Sequence, residues 1–135
     1  MTAHATREHI LVLSDAEDVL TVIRELLEDE GYRVTVDAYL TGNVESVKKA
    51  SPDAILIDCN RMELEESVSY LREIRALPHL RDTPIIASTS AVRIIDNYQP
   101  QVEELGLRIL RKPFDIEKLA EVVAESLDER PPAHA

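Results

Sequence analysis

Five short apolar segments recur along the chain in step with amphipathic stretches: HILVL (9–13), YRVTV (32–36), DAILI (53–57), PIIAST (84–89) and LRILR (107–111). Between them apolar residues return at helical spacing, as in Val19, Ile23, Leu26 and Leu27 or Val68, Leu71 and Ile74, which places them on one face of a helix. The alternation predicts a helix after every strand. The first and third segments are almost unbroken Ile, Leu and Val, the pattern of central parallel strands covered on both faces. Right-handed crossovers and short connections then give a doubly wound parallel α/β sheet with helices on both faces, whose ligands sit outside the carboxyl ends of the strands.

Punctuation residues set the boundaries. Gly31 ends the first helix, and Ser51-Pro52 and Leu77-Pro78 end the second and third. The fourth helix, expected between residues 91 and 105, contains Pro100, which predicts a break or partial unwinding there. Residues 1–8 are expected to be a flexible N-terminus, 9–128 a single domain, and 129–135 a disordered tail without apolar periodicity.

Composition narrows the function classes. The 135 residues suffice for one domain with its own core. A formal net charge of −11 argues against direct nucleic-acid binding, which needs Lys and Arg to neutralise phosphates. No apolar run approaches the roughly 18 residues of a membrane helix, and MTAHATREH lacks the layout of a signal peptide. A cytoplasmic protein is expected. The single cysteine, Cys59, reads as a small buried side chain, and the acidic clusters Glu28-Asp29-Glu30 and Glu63 to Glu66 read as solvated helix faces. His4, His9, His79 and His134 show no paired metal-site spacing and are assigned no role.

Chemistry gathers at strand ends. Asp15, Asp58, Thr89 and Lys112 fall at or just past the carboxyl ends of the first, third, fourth and fifth strands, so the fold should converge them on one edge. Each has a plainer reading alone: Ser14-Asp15-Ala16-Glu17 matches a helix capping box, Thr89 suits a helix N-cap, and Lys112 before Pro113 suits a solvated loop. Together they offer hard oxygen ligands for Mg²⁺, a carboxylate nucleophile in Asp58, and a hydroxyl and a cation for phosphoryl oxygens.

This constellation, with an acid after the first strand, Asp58 ending the third, PIIAST closing on Thr89 and LRKPF at the fifth, resembles the receiver domain of bacterial two-component response regulators over residues 9 to 128. The resemblance implies a flavodoxin-like five-stranded sheet in the order 2-1-3-4-5. It implies that Asp58 is the phosphoacceptor for a histidine kinase or phosphotransfer protein. Asp15, Asp58 and the backbone carbonyl of Asn60 would hold Mg²⁺, with Ser14 able to act only through water, while Thr89 and Lys112 would contact the phosphoryl group. The output would be a separate partner protein, or a homodimer through the face formed by the fourth helix, fifth strand and fifth helix.

The chain departs from the family's pattern in several places. Ser14-Asp15 stands where two adjacent acids are usual, which forfeits roughly 1–5 kcal/mol of gross attraction for a divalent ion about 6 Å away, depending on the effective dielectric. Ile109 replaces the usual aromatic switch residue, Met62 a proline and Glu66 a glycine. Two functional classes follow: a phosphorylatable receiver, and a receiver-like interaction module independent of phosphorylation. A phosphatase is disfavoured because Asn60, not an acid, lies two residues after Asp58, and a flavin carrier because there is no phosphate loop after the first strand and no Trp.

Overall fold

The structure, a computed structural model, describes residues 8–14, 17–37, 47, 49, 51–58, 64–89, 99–112 and 115–129. Its elements run β1 (His9–Leu13), α1 (Glu17–Asp29), β2 (Arg33–Asp37), β3 (Ala54–Asp58), α2 (Leu64–Arg75), a 3₁₀ turn (Pro78–Leu80), β4 (Ile85–Thr89), α3 (Gln99–Leu105), β5 (Leu107–Arg111) and α4 (Ile116–Glu129). Val47 and Lys49, between β2 and β3, are also helical.

All five strands are parallel, in the order β2-β1-β3-β4-β5, as the apolar pattern and the family resemblance required. The unbroken apolar runs explain why β1 and β3 sit at the centre: every residue of both is buried. Alternate side chains feed two cores. Ile10, Val12, Leu56, Ile86 and Leu110 meet Leu20, Ile23 and Leu27 of α1 and Leu119, Val123 and Leu127 of α4. On the other face Leu11, Leu13, Ile55, Ile57 and Ile85 meet Val47, Tyr70, Leu71, Ile74 and Leu105. Each fully buried Leu or Ile contributes about 1.5–3 kcal/mol of transfer free energy, so the two-sided burial of the central strands is the main adhesive of the sheet.

The boundaries refine the expected ones. Gly31 does close α1, in the left-handed region at φ 97° where a glycine carries no Cβ penalty. The helix after β3 stops at Arg75, and Pro78 opens the 3₁₀ turn rather than ending the helix itself. In the fourth helix of the sequence, the described part is α3, with Pro100 in its first turn, where the missing N–H has no intrahelical partner to lose. Residues 90–98 of that expected helix lie outside the described residues. The Glu8 carbonyl accepts from the Arg33 N–H at 3.0 Å, and α4 continues through Glu129. The rest of the two expected termini, 1–7 and 130–135, lies outside the described residues.

The amino-terminal edge of the sheet is tied by polar bonds. His9, given no role from sequence, places Nε2 2.7 Å from Thr35 Oγ1, and its backbone N–H donates to Asp53 Oδ2 at 2.7 Å. Arg75, at the end of α2, donates to the carbonyls of Leu80 (3.0 Å), Arg81 (3.1 Å), Thr83 (2.6 Å) and twice Leu105 (3.0 and 2.8 Å). Burial lowers the guanidinium's pKa from its ordinary value, against the opposing charge of Asp82. No described helix is long and apolar enough to cross a membrane.

Candidate functional site

Strand β3 delivers the Asp58 carboxylate. In a pleated strand successive side chains alternate between faces; Ile57 enters the core with α2, and Asp58, the next residue, faces the opposite side at the carboxyl end. It is 5% exposed. An ionised carboxylate in such a place needs partners, and Lys112 and Ser14 are two of them. Lys112 Nζ lies 2.7 Å from Asp58 Oδ1, and Ser14 Oγ donates to Oδ2 at 2.9 Å.

The register of the sheet brings these groups together. Leu13 of β1 pairs with Ile57 of β3, so the following residues, Ser14 and Asp58, stand level. The Ser14 backbone N–H donates to the Asp37 carbonyl at 3.1 Å, extending the β1–β2 ladder by one residue and fixing Ser14 in place. On the other side Asp58 pairs with Ser88 and Thr89 with Arg111. The Lys112 backbone N–H donates to the Thr89 carbonyl at 2.9 Å, which anchors the lysine at the edge from which its ammonium reaches across to Asp58.

Of the residues expected here, Asp58, Lys112 and Ser14 are in direct contact. Thr89 ends β4 at the same edge, 8% exposed. By alternation it faces the α2 side of the sheet, opposite to its neighbour Ser88, whose Oγ is 3.5 Å from the Ile57 carbonyl. Asp15 and Asn60, expected as metal ligands, and Met62 lie outside the described residues. Among the described residues no group of three or more His, Cys, Asp or Glu side chains forms a metal cluster. The donor chemistry nonetheless fits a hard divalent ion: Asp58 presents carboxylate oxygen at a strand edge, and such ions take one or two protein carboxylates and complete their shell with other oxygens.

Sequence reading missed the contact between Ser14 and Asp58, because it counted Ser14 as an absent carboxylate, a helix cap or a metal ligand acting through water. The contact is set by the register of two adjacent parallel strands that end at the same level, which no single stretch of sequence displays.

A parallel five-stranded sheet in this order, with a buried carboxylate and a lysine facing each other across its carboxyl edge, defines a flavodoxin-like domain with a charged switch-point site. Comparison with known proteins makes the family specific. The model of the response regulator receiver domain matches residues 10–124, and the chain belongs to that family. It is 31% identical over 124 residues to the transcriptional regulatory protein PrrA of Mycobacterium tuberculosis, covering 92% of this chain and 50% of that protein. The chain spans about half the length of the curated relatives it matches. Among solved structures, the receiver domain of the sensor histidine kinase PA1611 from Pseudomonas aeruginosa, which has a magnesium ion coordinated in its active-site cleft, is 32% identical, with a TM-score of 0.75 over 92% of this chain and 100% of that one. The chemotaxis response regulator CheY4 of Vibrio cholerae shares the fold, with a TM-score of 0.78 at 23% identity, over 90% of this chain and 99% of that one.

Proposed function

We propose that this receiver domain accepts a phosphoryl group on Asp58 from the phosphohistidine of a histidine kinase or phosphotransfer protein and signals through a protein partner. The observation that carries the reading is the Asp58–Lys112 pair, a 2.7 Å contact between a buried carboxylate and an ammonium at the switch-point edge. In the transfer an Asp58 oxygen forms the new P–O bond as the P–N bond of the donor breaks, and the imidazole nitrogen keeps the electron pair and takes a proton. Lys112 then turns from the carboxylate to the phosphoryl oxygens, whose charge it balances. Thr89, which ends β4 at the same edge, would swing its hydroxyl across to Asp58's face to donate to a remaining phosphoryl oxygen. Asp58, Asp15 and the Asn60 carbonyl would hold Mg²⁺, which when bound supplies positive charge to the phosphoryl oxygens during transfer.

The second reading, an interaction module independent of phosphorylation, is favoured by one observation: both Asp58 oxygens already have protein partners, and one of these, Ser14, stands where the family usually has an acid. Intact-mass spectrometry after incubation with Mg²⁺ and acetyl phosphate separates the two. A gain of one phosphoryl mass in the native chain and none in Asp58→Asn is the expected result. No gain, from this donor or from a histidine-phosphorylated kinase domain, would favour the second reading.

A further inference from the structure

Asp58 is held from both sides by groups of different character. Lys112 Nζ takes Oδ1 at 2.7 Å, while Ser14 Oγ donates its only proton to Oδ2 at 2.9 Å. Ser14 is 1% exposed, and its backbone is fixed by the bond to the Asp37 carbonyl. A divalent cation approaching Asp58 is repelled at Oδ1 by the ammonium already there. The oxygen left to it is Oδ2, where the Ser14 proton sits.

On the phosphoacceptor reading above, we infer that Ser14 is a positioning residue that pins Asp58 in the metal-free state and competes with the divalent ion for Oδ2. It stands against metal binding rather than serving as a water-bridged part of the metal site. A cation at Oδ2 draws electron density from the oxygen that accepts the Ser14 proton and sets its own charge against the positive end of that hydroxyl, so the Ser14 bond weakens as the ion binds and the weakening is subtracted from the ion's affinity. The two roles have opposite signs under mutation, since removing a water-bridged ligand weakens metal binding whereas removing a competitor strengthens it.

The test is calorimetric titration of the full chain with MgCl₂ at fixed pH and ionic strength, without any phosphodonor. Ser14→Ala is expected to bind Mg²⁺ about three- to tenfold more tightly than the native chain, the equivalent of one buried hydrogen bond. Ser14→Thr, which keeps the hydroxyl, is expected to return toward the native affinity. Unchanged or weaker binding in Ser14→Ala overturns the inference, and merely loosened packing would not tighten binding. Asp58→Ala serves as the control: if it binds Mg²⁺ as well as the native chain does, the metal reading of Asp58 fails by itself. In that event, or if no variant binds, the pin is judged without metal, by a double-mutant cycle of Ser14→Ala and Asp58→Ala in urea unfolding. Midpoint shifts that simply add would overturn the pin, and shifts that couple would sustain it.

Discussion

The two ends of the sheet each hold a partly buried cation, and they use it in opposite ways. At the carboxyl edge Lys112 makes a single 2.7 Å contact with the Asp58 carboxylate. At the amino edge Arg75 spreads five hydrogen bonds over four backbone carbonyls from the 3₁₀ turn, the approach to β4 and the end of α3. Lysine is a point charge on a flexible stem that can change partners by a rotamer shift, whereas arginine is a planar fork whose bonds are made together or not at all. Arg75 also satisfies the terminal carbonyl of α3 at Leu105, a group that no helix can satisfy internally. The site end is thus built to be rewired, and the opposite end to stay as it is.

The comparison breaks most visibly at Arg75. Arg75→Ala should lower unfolding free energy by about 3–4 kcal/mol, because several carbonyls lose a charged donor at once. Urea denaturation checks this, with Mg²⁺ affinity expected to hold at the native value. Lys112→Met should cost less, about 2–3 kcal/mol at neutral pH, by leaving the buried Asp58 carboxylate without its ammonium. Most of that loss should disappear in the Lys112→Met, Asp58→Asn double variant, whereas Arg75→Ala should gain nothing from Asp58→Asn.

A smaller effect concerns the helix that carries Arg75. Tyr70, on α2, has its phenol pushed up to about 12 by burial first and then by the negative charges of Asp37 and Glu73. Because the folded value lies above the unfolded one, near 10, the folded state holds its proton where the unfolded state has lost it. The stabilisation is fully present below pH 10 and is lost as pH rises toward 12. Native protein should therefore lose on the order of 2 kcal/mol across that window, and Tyr70→Phe should flatten this part of the profile, read by thermal unfolding from pH 9 to 12.

Much of the architecture was legible because it rests on local pattern. Continuous Ile, Leu and Val in β1 and β3 reported two-sided burial, and the chain segments 9–13 and 107–111 match their strands residue for residue. Placement of Asp58 and Lys112 at one edge followed from the parallel sheet alone. What the sequence hid were contacts set by register and loop course. Ser14 meets a residue 44 positions away, and Arg75 meets carbonyls 5 to 30 positions away, whose chemistry is the same for any amino acid. A backbone acceptor leaves no mark in a sequence, so an arginine that binds only such acceptors looks like any surface arginine.

Gly106 turns the chain from α3 into β5 in one residue, at φ 64°, with the Arg75 guanidinium 3.8 Å from where a Cβ would stand. In mechanical terms this junction is a fixed pivot. The Arg75 guanidinium that clamps the Leu105 carbonyl also faces this turn, so the end of α3 and the start of the strand that leads to Lys112 are held to one anchor.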